Sequence, residues 1–165
     1  MPALLFDLDN TLYPYKEAHE PAWQFLIQAM SQSLEIRAEE SRLALLEGRR
    51  QIHAELHGLG SSHSRLFYVQ RALESLGRFD AGLTLELEEG YWKTFLASMQ
   101  MDKSVLATLL IAKARGFRLG LVTDLTAAIQ FRKLQFLGLS EVFDAVVTSE
   151  EAGVEKPHPW PVLLC

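Results

Sequence analysis

Asp7 and Asp9 stand two residues apart at the end of a short apolar run, Ala3-Leu4-Leu5-Phe6, and lead into Asn10-Thr11 and then Pro14. A continuous apolar run closed by polar turn residues reads as a strand buried on both faces, as in a parallel sheet. Side chains alternate along a strand, so both carboxylates fall on one side if extended geometry continues past its tip. Two like charges there are costly unless a cation lies between them or one is protonated. Carboxylate oxygens suit the hard cation Mg²⁺, and a phosphate can complete its shell.

Two later stretches add groups that a phosphate would need. Phe117-Arg118-Leu119-Gly120-Leu121-Val122-Thr123 reads as a second buried strand with a hydroxyl at its carboxyl end. Asp124 is placed as N-cap of a helix from Thr126 to Leu137, with Phe131, Leu134 and Leu137 packing inward. Phe143 to Thr148 forms a third strand, followed by Gly153-Val154-Glu155-Lys156-Pro157-His158-Pro159. Two prolines stiffen the loop around Lys156, which suits an ammonium that must neutralise a carboxylate and a phosphoryl group. The plainer uses of these residues are a helix cap for Thr123 and a solvated lysine in a Pro-rich loop.

Between the first strand and the second lies a block without strand character. Pro21 suits a first helical turn, with Trp23, Leu26, Ile27 and Met30 following at helical spacing. A second helix is predicted over Glu39 to His57 with Leu43, Leu46, Arg50 and Ala54 on one face, ended by Gly58 and Gly60. Ser61 to Ser64 offer caps for a third, carrying Leu66, Val69, Leu73 and Leu76, and Thr84 for a fourth, with Leu87, Tyr91, Thr94, Phe95 and Met99 inward. About 70 to 80 helical residues exceed an ordinary crossover, so the block reads as an inserted subdomain. His53 and His57 share a helix face, but the acid in His-Ala-Glu-Leu-His is misplaced for a zinc-protease helix, and a solvated face is expected. The order strand, helices, strand, helix, strand argues α/β with a parallel sheet. Ligands of such sheets bind at the carboxyl ends of the strands, where Asp7, Asp9, Thr123 and Lys156 all fall.

Phe6-Asp7-Leu8-Asp9-Asn10-Thr11-Leu12 resembles the first motif, DxDxT, of the haloacid dehalogenase-like phosphohydrolases. Thr123 matches the second motif of that family and Lys156 the third. The resemblance implies a Rossmann-like core (1–15 and 101–165), with an α-helical cap (16–100) that closes over the active site and selects the substrate. It implies Asp7 as nucleophile, forming an aspartyl-phosphate, and Asp9 as the acid and base for leaving group and water. Thr123, Lys156 and Asp124 would form the phosphate-binding group. Mg²⁺ would be held by the Asp7 carboxylate and the Asp9 backbone carbonyl. Dehalogenase members lack the second acid, so Asp9 sides with phosphate transfer. The expected substrate is a small phosphorylated metabolite.

The sequence departs from the family at its end. No acid follows Lys156 in the tail Trp160-Pro161-Val162-Leu163-Leu164-Cys165, where a fourth motif would complete the Mg²⁺ shell. Asp124, Glu150 and Glu151 are candidate substitutes that spacing does not separate. The expectation is a C-terminally truncated member, with an open apolar sheet edge available for self-association. Back-translated and read one nucleotide along, the tail can give Gly-Arg-Phe-Phe-Phe, the expected continuation, which suggests a frameshifted or altered terminus. The alternative to an active phosphatase is a silent relative acting as a fragment or binding module.

Composition sets the broad class. The 165 residues are 48% hydrophobic, enough for a real core, and the net charge of −5 disfavours nucleic acid as a partner. One cysteine, Cys165, is compatible with a reducing cytosol, and a cytoplasmic location is expected. No signal peptide or membrane-spanning stretch is expected, since carboxylates interrupt the first apolar run and no basic segment precedes it.

Overall fold

A computed structural model describes residues 2–165. Three strands, β1 (Ala3–Phe6), β2 (Arg118–Thr123) and β3 (Ala145–Thr148), form a parallel sheet in the order β1-β2-β3. Leu4 pairs with Leu119 and Phe6 with Leu121, while Gly120 pairs with Ala145 and Thr123 with Thr148. The α/β class and its parallel sheet are those expected. β2 is central and buried from Leu119 to Thr123. β1 is an edge, and its burial alternates, with Leu5 47% exposed. The expectation of burial on both faces therefore fails for β1; the apolar residues just past its tip, Leu8, Leu12 and Tyr13, are the buried ones. Asp144 stitches β2 to the start of β3 by accepting the Leu119 N–H at 2.8 Å. That bond, ahead of nearby Lys113 and Arg118, holds its carboxyl below the usual range.

The chain divides into two compact units, Met1–Lys16 with Gly58–Ser61 and Met99–Cys165, and Glu17–His57 with Ser62–Ser98. The first holds the sheet with α5 (Lys103–Ala114), α6 (Ala127–Phe136), α7 (Ser149–Ala152) and α8 (Trp160–Leu164). Asp102 caps α5 through the Ser104 N–H, and Gly116, at φ +83°, takes the left-handed conformation that ends it. Gly58 to Ser61 belong to this unit, although the sequence reading uses the two glycines only as helix terminators. The Gly58 carbonyl accepts from Glu155 N–H at 2.9 Å, and a Cβ on Gly60 would fall 2.8 Å from the Glu150 nitrogen. Only glycine permits that approach.

The second unit is helical: most of α1 (Tyr15–Leu34), with α2 (Ala38–Glu55), α3 (Arg65–Ser75) and α4 (Ala81–Ser98). Helix α1 starts at Tyr15, whose N–H is taken by Asn10 Oδ1 at 3.1 Å, so Pro21 lies inside the helix and not in its first turn. The predicted inner face of α2 is also corrected. Leu43 and Leu46 are exposed, whereas Ser41, Ala44, Leu45, Gly48 and Ile52 are buried. Small residues face α3 because the helices touch: a Cβ on Gly48 would stand 2.5 Å from the Tyr68 carbonyl oxygen. Asp80, rather than Thr84, caps α4 by accepting the Leu83 N–H at 2.7 Å.

Aromatic residues fill this unit. Tyr91 and Trp92 meet edge-on at 4.9 Å and Trp92 and Phe95 at 5.3 Å, and the Arg65 guanidinium lies 5.4 and 5.3 Å from the Tyr91 and Trp92 ring centres. His53 leaves the solvated face expected for it and meets the Tyr68 hydroxyl at 2.9 Å. Among the described residues no single helix is long and apolar enough to cross a membrane.

His19 Nδ1 meets the Tyr91 hydroxyl at 2.7 Å beside the Trp23 ring. Burial first, then Arg65 and Arg49, push its pKa down from 6.5 to about 4, with Glu20 opposing. The folded value lies below the unfolded one. The neutral ring's contribution is thus complete above pH 6.5 and is lost as pH falls toward 4. The thermal unfolding midpoint should therefore drop through that interval, and His19→Gln should flatten the drop. An identical pH slope in the variant would contradict this.

Candidate active site

The tip of β1 delivers two carboxylates, and each meets an ammonium. Lys156 Nζ donates to Asp7 Oδ1 at 2.6 Å and to the Val122 carbonyl at 3.0 Å. Lys133 Nζ donates to Asp9 Oδ1 and Oδ2 at 2.8 and 3.0 Å. The Tyr13 hydroxyl also donates to Asp9 Oδ1, and Gln130 Nε2 approaches Oδ2 at 3.4 Å. Asp9 is 26% exposed at its side chain and Asp7 39%. Asp7 Oδ2 receives the Thr11 hydroxyl at 3.4 Å.

Local backbone explains how these groups reach one place. Past Phe6 the chain turns, with Thr11 and Leu12 N–H groups returning to the Leu8 carbonyl and Asn10 in the left-handed region at φ +63°. Asparagine tolerates that conformation better than most residues. At the tip of β2, Thr123 is 1% exposed, and its hydroxyl oxygen accepts from Gln130 Nε2 at 2.6 Å. Leu125 then adopts φ +102°, strained for a residue with a branched side chain. Its N–H is held by the buried Ser149 hydroxyl at 2.8 Å. Glu150 Oε2 takes the Ala127 N–H at 2.8 Å, so the first turn of α6 is served from the β3–α7 junction and not by Asp124.

Asp124 has a different place from the helix cap expected of it. Its Oδ1 accepts the Lys156 backbone N–H at 3.1 Å, and Oδ2 lies 3.8 Å from Lys156 Nζ. It thereby ties the β2 tip to the lysine loop, whose Lys156–Pro157 peptide is cis.

Asp7, Thr123, Asp124 and Lys156 come from three separated segments to the strand tips, Lys156 meeting Asp7 and Asp124, with Asp9 on Lys133 and Thr123 on Gln130. Lys133 and Gln130 escape the sequence reading. The predicted inward face of α6 used Phe131, which is 52% exposed, while Gln130 and Lys133 are fully buried. A polar pair at helical spacing, i and i+3, reads in sequence as a solvated helix face, and only its contacts with Asp9 and Thr123 set it apart.

Among the described residues no group of three or more His, Cys, Asp and Glu is placed to hold a metal. Mg²⁺, however, commonly takes one or two carboxylates and completes its shell with water and substrate phosphate. Asp7, partly exposed and with Oδ2 only distantly bonded, fits that donor chemistry.

The haloacid dehalogenase-like hydrolase family model matches residues 1–165. The chain is 36% identical over 160 residues to a ribulose-1,5-bisphosphate 5-phosphatase from Halopiger xanaduensis, covering 94% of this chain and 66% of the relative. It is 36% identical over 158 residues to a glyceraldehyde 3-phosphate phosphatase from Methanopyrus kandleri, covering 95% and 65%. The fold is similar to that of a HAD phosphatase from Thermococcus onnurineus, with a TM-score of 0.70 at 25% identity over 99% of this chain and 69% of that one. The chain thus spans 65–66% of the length of these two curated relatives.

The tie between Asp124 and the lysine loop can be tested directly. Asp124→Ala should speed amide exchange at Lys156 by about tenfold or more, the value of a hydrogen bond to a charged group. The Leu119 amide, held by Asp144, should stay protected. Unchanged exchange at Lys156 would contradict the tie.

Proposed function

The chain belongs to the haloacid dehalogenase-like hydrolases, and on that footing we propose that it hydrolyses the phosphate monoester of a small phosphorylated metabolite, in the cytoplasm, through an aspartyl-phosphate on Asp7. The observation that carries this reading is the 2.6 Å contact between Lys156 Nζ and Asp7 Oδ1 at the carboxyl ends of the strands, with the Thr123 hydroxyl at the next strand tip. A phosphate ester, itself anionic, approaches a carboxylate nucleophile only where cationic and hydrogen-bonding groups offset the repulsion. Two relatives whose names state small sugar phosphates as substrates support the substrate class.

The residues take the following parts. An Asp7 oxygen bonds to phosphorus as the ester oxygen–phosphorus bond breaks, and the leaving oxygen takes a proton from Asp9. Asp9 then accepts a proton from water as the water oxygen bonds to phosphorus and the Asp7 oxygen–phosphorus bond breaks, which releases inorganic phosphate. Asp9 Oδ2, free of the Tyr13 hydroxyl, suits the proton transfers better than Oδ1. Lys156 and Thr123 hold the phosphoryl oxygens while Asp124 keeps the lysine loop in place. The Asp7 carboxylate and the Asp9 backbone carbonyl would hold Mg²⁺, which would supply further charge neutralisation. The helical unit, as a cap, selects the rest of the substrate.

The test is hydrolysis of p-nitrophenyl phosphate with and without Mg²⁺ by the wild-type chain and by Asp7→Asn. Mg²⁺-dependent turnover that falls by about 10⁴- to 10⁶-fold in the variant is expected for loss of a nucleophile. Turnover equal in both proteins, or absent from the folded wild type, would contradict the proposal.

A further inference from the structure

Helix α6 places Gln130 and Lys133 one turn apart on its inner side, and both are 0% exposed. A fully buried ammonium is a poor stabiliser compared with a well-packed apolar side chain, so its presence calls for an account of what it does to its partner. Its Nζ bonds both oxygens of Asp9, at 2.8 and 3.0 Å, which fixes the plane of that carboxylate as well as its position. The rings of Tyr13 and Tyr15 flank the ammonium, with centres 5.9 and 5.7 Å away.

Gln130 acts on the neighbouring motif. The two hydrogens on its Nε2 go to Thr123 Oγ1 and to the Asp124 carbonyl, each at 2.6 Å. A carbonyl can only accept, which settles which end of the amide faces it. Thr123 Oγ1 is therefore an acceptor toward Gln130, and its own hydrogen remains to be donated elsewhere. The acceptor within reach, the Asp124 carbonyl, lies at a long 3.5 Å.

We infer that the buried Gln130–Lys133 face of α6 is a positioning device, in which Lys133 fixes the Asp9 carboxylate and Gln130 turns the Thr123 hydroxyl hydrogen toward an incoming phosphoryl oxygen. Neither residue touches the substrate. One helix thereby sets both the proton-transferring group and a phosphate donor, so that substrate meets them already oriented. The inference rests on the phosphatase reading for its effect on rate, and on geometry alone for its effect on Asp9.

The experiment compares Lys133→Met, which is close in volume and apolar, with Lys133→Arg, each alone and in an Asp9→Asn background. In p-nitrophenyl phosphate hydrolysis, Lys133→Met should lower kcat by about 100-fold, the cost of a misplaced group, with KM within about threefold of wild type. Lys133→Arg should regain about a tenth of the wild-type rate or more, and Lys133→Met should add nothing once Asp9 is Asn. A raised KM at unchanged kcat, or full additivity with Asp9→Asn, would overturn the inference. The ¹³Cγ resonance of labelled Asp9 provides a readout independent of turnover. It should move in Lys133→Met and return toward its wild-type position in Lys133→Arg. An inactive wild type would end the phosphatase reading alone; an unmoved Asp9 resonance would overturn the clamp whether or not the chain is active. Where Lys133→Met fails to fold, a Lys133→Arg variant with an Asp9 resonance far from wild type overturns it, and one with the wild-type resonance upholds it.

Discussion

Two carboxylates two residues apart, at the tip of a strand, are the constraint from which the rest of the sheet unit follows. Each needs a counter-charge close at hand, and the two ammonium groups that supply it are remote in sequence. Lys156 lies 149 residues from Asp7 and Lys133 lies 124 residues from Asp9. To bring them in, β2 must lie beside β1, α6 must turn an inner polar face toward the β1 tip, and the β3–α7 junction must return the lysine loop. Ser149, Glu150 and Asp124 are the ties for that arrangement, holding Leu125, Ala127 and Lys156 by their backbone N–H groups. The two ion pairs differ in kind. Lys133 is fully buried and Lys156 is 28% exposed, so the first suits a fixed support and the second an exchangeable contact with a bound anion.

Much of this was legible in the sequence wherever the signal is local. An apolar run ending in a polar residue marks a strand tip without knowledge of its neighbours, and it sets Asp7 and Thr123 at the ends of β1 and β2. Lys156 was legible because the string Gly153 to Pro159 resembles the family's third motif, with prolines that stiffen the loop. The uncovered face of β1 was harder, since four apolar residues read the same whether one face or both are covered, and Leu5 is 47% exposed.

Lys133 and Gln130 were not legible because amphipathic counting assigns the buried side of a helix to its apolar residues. On α6 that rule fails: Asp9 and Thr123 offer hydrogen bonds that offset the cost of burying polar groups, and Phe131 is left outside. The same limit applies to α2, where close contact with α3 selects Gly48 and Ser41 over Leu43 and Leu46. Periodicity gives the existence of a face; the partner decides which residues occupy it.

The central claim is that the strand tips form one anion-binding centre with Lys156 as its cation. Calorimetric titration of the wild-type chain with inorganic phosphate in the presence of Mg²⁺, beside Lys156→Met, tests it most directly. Saturable binding that weakens by about 10- to 100-fold in the variant is the predicted result, the range for a charge-assisted hydrogen bond. Equal affinity in the two proteins, or no binding by the wild type, would contradict it.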